Sequence, residues 1–416
     1  MKTIFTGASI LALAIAAPAF AQAAPTGPVT PTECIGAASN CSVIDQSGSN
    51  QDAEVTQDGA NDISSIDQSG ANNDATVKQT GINGSLSNIT QSNDPASVGS
   101  IVEVTQSDTG LGLDPAGFAN TSVVEQTFGG NQAYVTQVND DIVDPTAGNT
   151  SDVNQSGGAS TAYVSQNGGL LQSTVVQTAG GNLADVTQGD ANPDTAFGNT
   201  SEVTQGGLIG GNMAIVNQTA VDPAFSTFSD SVITQNGDNN FADVTQRGTD
   251  NNSTIKQDGT FGEAQVLQTA VNYGVGDPFA ESFSTINQAG NGSIAYVEQV
   301  GIVNVSTVNQ AFAADGTTVT GGDDNETAVF QRGDGNESTI TQGGGNLNNA
   351  YLLQEGDDNM STIAQLGGTN TANVYQTSNG NTSFVSQNGT GNTATVTQGS
   401  NPGLLPDSPL PMTRRQ

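Results

Sequence analysis

Small, branched apolar and amide side chains recur at alternate positions along most of the chain. A series of twenty-eight glutamines runs from Gln46 to Gln398, mostly at intervals of eleven residues, and the residue two positions before each is Val, Ile or Leu. Two positions earlier again, Ser and Ala alternate from copy to copy, with Val102 and Thr327 as the exceptions. Residues i, i+2 and i+4 share one face of an extended chain but scatter around a helix. The pattern therefore predicts a long series of short strands, each with one face turned inward.

The repeating unit is a pair of strands joined by turns. Gly and Asn cluster between the strands, as in Ser69-Gly70-Ala71-Asn72-Asn73, and both residue types suit turns that need a positive φ. A unit of about twenty-two residues occurs fourteen times. One unit alone buries too little apolar surface to offset the entropy of ordering it, whereas stacked units share a core and pair every backbone group. We expect an all-β fold, a β-solenoid of about fourteen two-strand rungs in parallel, in-register stacking.

The parity of the strands also predicts which side chains form the core. An inward Gln would be costly if its amide were unpaired, but stacked amides satisfy one another in a ladder. A polar low-complexity chain that stays disordered is the alternative, and it does not explain why every Gln has an apolar partner at one offset. In three clear units the expected inward residues are Ser64, Ile66, Gln68, Ala75, Val77 and Gln79; Ser231, Ile233, Gln235, Ala242, Val244 and Gln246; and Ser383, Val385, Gln387, Ala394, Val396 and Gln398.

These three units carry a family resemblance. The segments 64–79, 231–246 and 383–398 resemble the curlin repeat, Ser-x5-Gln-x-Gly-x2-Asn-x-Ala-x3-Gln, and the likeness extends over residues 42–398. The familiar curli subunits have far fewer repeats and lack the insertions seen here. The resemblance implies a functional amyloid: a secreted fibre subunit that self-assembles on the surface of a Gram-negative bacterium, with a curli-type secretion pore and a nucleator subunit as partners.

The resulting hypothesis is a structural subunit of curli-like fibres, a type of pilus or fimbria, that supports biofilm matrix formation and cell adhesion. A monomeric extracellular β-solenoid, either an adhesin or an ice-binding protein, is the alternative. Ice binding would need a regular lattice of Thr on an outer face, and the outward positions contain residues as different as Glu54, Tyr134 and Asp152. Whether the end rungs are exposed decides between fibre and monomer, and the sequence does not show that.

The sequence divides the chain into four segments. Residues 1–23 have the basic start, apolar run and small-residue cleavage site of a signal peptide. Residues 24–41 form an N-terminal segment with both cysteines, residues 42–398 hold the repeats, and residues 399–416 form a Pro-rich tail. An exported chain favours a disulfide between Cys34 and Cys41, and free thiols or a link between chains remain the alternatives.

Charge narrows the possible partners. The chain has 41 acidic and 7 basic residues, a net charge of −34, which argues against nucleic acid and anionic membrane surfaces. The apolar run near the start is too short to span a bilayer comfortably, and no other stretch approaches about 20 apolar residues, so we expect no membrane insertion. Acids near turns, such as Asp238 and Asp357, would repel one another across stacked rungs and delay assembly.

The residue types in the chain do not indicate catalysis or cofactor binding. The chain has no His and no Trp, and no nucleophile with a neighbouring base, so we expect neither an enzyme nor a cofactor. Three acidic turns, 322–326, 333–337 and 356–359, contain the oxygen ligands that Ca²⁺ prefers. Calcium binding there is a hypothesis, with ordinary solvated turns as the alternative.

Insertions share a motif and a position. Most lie between an Ala-type strand and the next Ser-type strand, so they are expected to leave from one corner of the solenoid. Such loops suit either a binding surface or plain decoration of the turns. They contain Asp94-Pro95, Asp114-Pro115, Asp144-Pro145, Asp222-Pro223 and Asp277-Pro278.

Overall fold

The fold is a two-sheet β-solenoid, as the repeat predicts. The computed structural model describes residues 30–34, 40–81, 84–94, 96–108, 120–139, 148–189, 198–219, 228–248, 250–270, 281–312 and 316–399. Over these residues the chain forms one short 3-10 helix, Thr32–Cys34, followed by strands that alternate between two parallel sheets of 14 strands each.

The odd-numbered strands carry the inward Ser residues and form what we call the Ser sheet. In stacking order they are β1 (Cys41–Ser49), β3 (Ile63–Ala71), β5 (Leu86–Ser92), β7 (Asn120–Thr127), β9 (Asn149–Gln155), β11 (Gln172–Gln177), β13 (Thr200–Gln205), β15 (Asp230–Gln235), β17 (Asn251–Gln257), β19 (Ser282–Gln288), β21 (Val305–Gln310), β23 (Glu337–Gly343), β25 (Met360–Leu366) and β27 (Thr382–Asn388).

The even-numbered strands carry the inward Ala residues and form the Ala sheet. They are β2 (Asp52–Gly59), β4 (Asp74–Gly81), β6 (Ile101–Asp108), β8 (Gln132–Asn139), β10 (Thr161–Asn167), β12 (Leu183–Gly189), β14 (Met213–Thr219), β16 (Phe241–Arg247), β18 (Glu263–Thr269), β20 (Ile294–Val300), β22 (Glu326–Arg332), β24 (Asn349–Glu355), β26 (Thr371–Gln376) and β28 (Thr393–Gln398). Each odd strand and the even strand after it form one rung, numbered 1 to 14 along the chain.

Register is kept from end to end. Equivalent repeat positions face each other in every strand pair, for example Gln68 with Gln91 in the Ser sheet and Gln79 with Gln106 in the Ala sheet. Val102 and Thr327, the two exceptions to the Ser/Ala alternation, keep the same register as the Ala residues around them. Parallel, in-register stacking is therefore confirmed, and insertions between strands do not disturb it.

The main core is an apolar column between the two sheets. Branched residues from both sheets meet at its centre, and those of the interior rungs are fully buried, as at Val203 and Ile233. The alternate, outward positions hold mainly polar and charged residues. On the Ala sheet, however, a second, outer apolar cluster is formed by Ala328, Tyr351 and Leu353, with Phe330 and Tyr375 packed against it. The core is one side chain deep from each sheet, which explains how a chain with 34% hydrophobic residues forms a long continuous core.

The insertions fall on two corners. Asp94 lies between β5 and β6, so it belongs to a Ser-to-Ala turn, where its Oδ1 accepts a hydrogen bond from the Ala96 N–H at 3.1 Å. The expectation that the Asp94 insertion follows an Ala-type strand, as most insertions do, is therefore wrong. The Asp-Pro pairs at 114, 144, 222 and 277 all belong to Ala-to-Ser connections and lie outside the described residues.

We expect adjacent inward and outward positions to respond very differently to a charge. Val203→Asp places a carboxylate in the fully buried column, whereas Thr204→Asp places it on the outer face. Val203→Asp should destabilise the fold by at least about 4 kcal/mol or prevent folding, and Thr204→Asp by less than about 1 kcal/mol. Thermal unfolding followed by circular dichroism measures both. Similar losses in the two variants would contradict the assigned inward and outward faces.

Candidate assembly interface at the rung ends

Two unbroken ladders of glutamine amides run the length of the solenoid. In the Ser sheet each Gln Nε2 donates to the Gln Oε1 of the next rung at 2.7–3.1 Å, from Gln46 to Gln387. In the Ala sheet the same bonds measure 2.8–2.9 Å, from Gln57 to Gln398. Every bond points the same way, so each ladder has a donor end and an acceptor end.

The second N–H of each interior amide ties the two sheets together. Gln205 Nε2 donates to the backbone oxygen of Leu183 at 2.9 Å, and Leu183 directly precedes the inward Ala184 of the facing sheet. Gln68 makes the same bond to the oxygen of Asp52, before Ala53. The long amide of one sheet therefore lies beside the small residue of the other, which explains why Ser or Ala occupies that position.

A further ladder was missed by the sequence reasoning. Asn residues two positions before the small residue are buried in the interior rungs and exposed at Asn392 in the last rung, and their backbone and side-chain N–H groups donate to the Oδ1 of the previous rung. In the Ala sheet Asn348, Asn370 and Asn392 make these bonds at 2.9–3.1 Å. The same two-residue spacing that identified the other inward positions would have identified these Asn residues. These hydrogen bonds join successive rungs at the corner where each turn enters a strand.

Side chains in the acidic turns accept hydrogen bonds from neighbouring turns. Asp323 Oδ1 accepts from the Asn291 N–H at 2.9 Å, and Asp334 Oδ1 accepts from the Ile302 N–H at 3.0 Å. Asp357 Oδ1 accepts from the Asp334 N–H at 3.1 Å. Within the described residues, no group of three or more His, Cys, Asp or Glu side chains is arranged to hold a metal ion. These contacts give the turn carboxylates a role in joining successive rungs.

The predicted inward residues lie along one column, with a difference at the last rung. Those named for rungs 2 and 8, together with Ser383, Val385 and Gln387, are buried. Ala394, Val396 and Gln398 in the last strand are half-buried, because no further strand follows β28 in the described chain. Cys34 and Cys41 form a disulfide with a Cα–Cα distance of 5.7 Å, directly at the start of β1.

Both ends of the solenoid present an unfinished core. In rung 1 the side chain of Ile44 is 44% exposed, whereas its equivalent Ile66 in rung 2 is 1% exposed. At the other end, Gln398 Nε2 donates to the Thr382 oxygen at 2.9 Å, which uses one of its two N–H groups. Gln46 and Gln57, at the start of the ladders, offer Oε1 acceptors. Acceptors at the first rung thus match donors at the last.

The two end rungs also have the same shape. Gln46 and Gln57 are eleven residues apart, as are Gln387 and Gln398. Gly48 and Gly389 occupy equivalent turn positions with φ values of 127° and 119°. A side chain at Gly48 would lie 1.8 Å from the Gly70 oxygen of the next rung, so only Gly fits where turns stack this closely. Rung 1 of one chain could follow rung 14 of another without a change of backbone.

Comparison with protein families agrees with this geometry. The family described as the curlin associated repeat matches residues 52–81, 232–268, 322–347, 344–367 and 370–399. The matches lie near the start, in the middle and at the end of the solenoid, so the chain is a curlin-repeat protein. No curated protein matches the chain. Over the described residues, no helix is long and apolar enough to cross a membrane.

Several carboxyl groups are buried without a positive partner. The pKa of Asp62 is raised to about 6, mainly by burial; the Ser85 N–H bonded to Asp62 opposes the rise, and the nearby Asp108 adds to it. Asp62 stands where most other rungs have the ladder Asn, and its Oδ2 is buried with no hydrogen-bond partner. Burial, with a smaller effect of Glu125, also raises the pKa of Asp152 to about 6.

Replacing a ladder Gln should lower the free energy of unfolding more in a middle rung than in the last rung. Gln205→Leu keeps the side-chain size but leaves the Gln177 donor, the Gln235 acceptor and the Leu183 oxygen unpaired. We expect a loss of about 2–4 kcal/mol in the free energy of unfolding. Gln398→Leu removes a single ladder bond and should cost under about 1.5 kcal/mol. Denaturant unfolding of freshly purified monomer compares them, and equal losses would contradict the ladder's contribution.

The free energy of unfolding should depend on the protonation of Asp62. An acid whose pKa is raised by folding favours the folded state when protonated, so its full contribution is present below about pH 4 and is lost as pH rises through about 6. Asp62→Asn should therefore stabilise the protein at pH 7.5, on the order of 2 kcal/mol, with a smaller gain at pH 4.5. The thermal midpoint at both pH values measures this.

Asp67→Asn provides the control, because Asp67 is an exposed acid on the outer side of β3, the strand that follows Asp62. It should change the thermal midpoint little at either pH. A gain for Asp62→Asn that is the same at both pH values would mean that the titration of Asp62 is not its cause.

Proposed function

We propose that the protein is a secreted structural subunit of curli-like amyloid fibres, built by stacking rung 1 of one chain on rung 14 of the next. The observation that carries the proposal is the pair of complementary open ends, with the core residue Ile44 exposed at one and half-buried Val396 at the other. The membership of the chain among curlin-repeat proteins supports it. Such stacking continues the fold of the monomer without a new kind of contact.

Each junction would repeat the contacts of an interior rung. The Nε2 groups of Gln387 and Gln398 would donate to the Oε1 groups of Gln46 and Gln57 in the next chain, and the backbone edges of two strand pairs would bond along their length. The side chains of Ile44 and Val55 would become buried against Val385 and Val396. This burial would stabilise the junction by roughly 1.5–3 kcal/mol for each fully buried branched side chain. The ladder polarity requires a tail-to-head arrangement.

The cellular role follows from the family and the leader-like sequence. We propose export through a curli-type secretion pore, nucleation by a separate subunit at the surface of a Gram-negative cell, and a role in biofilm matrix and adhesion. The proposed signal peptide, residues 1–23, and all of the proposed tail (residues 399–416) except Gly399 lie outside the described residues. The predominance of acidic groups supports a delay in assembly until the chain has left the cell.

A second candidate is a monomeric solenoid that binds a flat surface such as ice. One observation favours it: five threonines lie in register on the outer face of the Ser sheet. The next outward column contains Lys256, Asn287 and Ala364, so the Thr residues form a single line rather than a lattice. The five are Thr254, Thr285, Thr307, Thr339 and Thr362.

End stacking can be blocked with little harm to the monomer. Ile44→Lys places a cation on the exposed end of the core, and Val43→Lys places the same cation one residue away on the outer face. We expect the native chain and Val43→Lys to form fibres, and Ile44→Lys to elongate native seeds at least tenfold more slowly. Electron microscopy, cross-β diffraction near 4.7 and 10 Å, and seeded elongation measure this.

Circular dichroism and thermal unfolding of the soluble monomers provide the folding control. Native protein that stays monomeric for days with an intact β-rich spectrum would overturn the fibre proposal. Inhibition of ice recrystallisation by that monomer would then favour the second candidate. Equal elongation of the two lysine variants would mean that the rung ends are not the growing surface.

A further inference from the structure

A buried carboxylate occupies an amide position at one corner of rungs 2 and 3. Asp62 lies two residues before the inward Ser64, where most other rungs of the Ser sheet have Asn. Its side chain is 1% exposed. The Oδ1 atom accepts a hydrogen bond from the Ser85 N–H at 3.1 Å, whereas Oδ2 has no hydrogen-bond partner. One buried carboxylate oxygen therefore remains without a donor.

An equivalent Asn residue shows what this oxygen faces. In rung 5, Asn149 Nδ2 donates to the backbone oxygen of Gly168 at 2.8 Å. Gly168 is the second residue after the ladder Gln of its rung, and the residue at that position in rung 2 is Gly81. Because the register is constant, the Asp62 Oδ2 atom takes the place of an N–H donor beside the Gly81 oxygen. A carboxylate cannot donate, so two acceptors face each other.

A second carboxylate lies at the same corner in the next rung. Asp108 is the strand partner of Gly81 and is 3% exposed. A side chain at Gly81 would lie 2.9 Å from the Asp108 Cβ, so the Asp108 side chain starts directly beside Gly81. Its charge contributes to the raised pKa of Asp62. Two buried acids thus lie close together in adjacent rungs.

A buried hydroxyl group adds a further oxygen. Ser85 is 1% exposed, and its Oγ has no hydrogen-bond partner. The equivalent hydroxyl in rung 8, Ser229 Oγ, donates to the backbone oxygen of Gly248 at 3.4 Å. In rung 3 the residue at the position of Gly248 is Asp108. The Ser85 hydroxyl is therefore on the side of the corner where Asp108 lies.

Only oxygen atoms come together at this corner. They are the Asp62 Oδ2, the Gly81 carbonyl oxygen, the Ser85 Oγ and the Asp108 carboxylate. From this set we infer that the corner of rungs 2 and 3 binds a calcium ion. Ca²⁺ takes carboxylate, carbonyl and hydroxyl oxygens in an irregular shell that water completes, whereas Mg²⁺ demands a nearly ideal octahedron.

Charge balance supports a divalent cation. Two buried carboxylates without a cation are unfavourable, because burial and mutual repulsion both disfavour the charged forms. One Ca²⁺ ion neutralises both and also bonds to the carbonyl and hydroxyl oxygens. The site is separate from the acidic turns 322–326, 333–337 and 356–359, and it needs only two acids because neutral oxygens supply the other ligands. It lies within one chain, so the inference goes beyond fibre assembly and does not depend on it.

Hydrogen exchange of soluble monomers of the full mature chain tests the site locally. Sites of this kind in extracellular proteins bind Ca²⁺ with a Kd of about 0.1–1 mM. At pH 7.5, 5 mM Ca²⁺ should therefore slow exchange in β3 and β5 at least about fivefold relative to EDTA. Exchange in β16 and β18, in the middle of the solenoid, should change by less than about 1.5-fold. Mg²⁺ at 5 mM and NaCl of equal ionic strength control for general screening.

Two substitutions remove ligands and keep residues that the fold already uses. Asp62→Asn supplies the amide of most other rungs, and Asp108→Gly supplies the residue found at that position in rungs 1 and 2. Both variants should lose the slowing by calcium. In EDTA, Asp62→Asn should exchange more slowly in β3 than the native chain, because its amide can donate to the Gly81 oxygen. Asp67→Asn, which removes an exposed acid from β3, should keep the calcium effect.

The other outcomes each overturn the inference. Equal slowing in the two regions, or slowing that persists in Asp62→Asn, would mean that calcium only screens the net charge. Equal slowing by Mg²⁺ would mean that the corner does not select calcium. If calcium has no effect on the native chain and exchange in β3 slows at pH 5 in EDTA, a proton rather than a cation accompanies Asp62. None of these results would bear on fibre formation.

Discussion

A buried glutamine amide sets the main constraint on this protein. Its two N–H groups and its carbonyl oxygen need partners inside a core that contains no water, and leaving one unpaired costs roughly 1–3 kcal/mol. Parallel, in-register stacking supplies all of them at once, through the next rung, the previous rung and the facing strand, as at Gln205. A shift of register by one residue would turn the amides and the apolar side chains together onto the solvent face. The ladder therefore favours one register over the others in all fourteen rungs.

The same constraint favours the addition of further rungs at the two ends. A ladder satisfied only by its neighbours cannot be satisfied at its first and last members, so the feature that stabilises the interior also creates matching donors and acceptors at the two ends. Ile44, exposed where its interior equivalents are buried, shows the apolar part of this effect. Stability of the monomer and its tendency to add further rungs thus have a common physical origin.

Turns and charges modulate this tendency without changing the fold. Carboxylates such as Asp323 and Asp334 join successive turns by accepting backbone N–H groups, so the acidic composition contributes contacts as well as repulsion. Asp62 shows the opposite situation, a carboxyl group in a position suited to a neutral amide, with a pKa raised by burial.

The sequence by itself determined the strands, their inward faces, their pairing and the number of rungs. Side-chain parity is a local property of an extended chain, and repetition of Gln two residues after Val or Ile, as at Val203 and Gln205, leaves one register that buries both. The tertiary structure decided what depends on how the two sheets face each other. The bond from Gln205 to the Leu183 oxygen and the exposure of Ile44 both required it. Contacts between sheets and between turns join residues with no fixed spacing in the chain, so no period in the sequence encodes them.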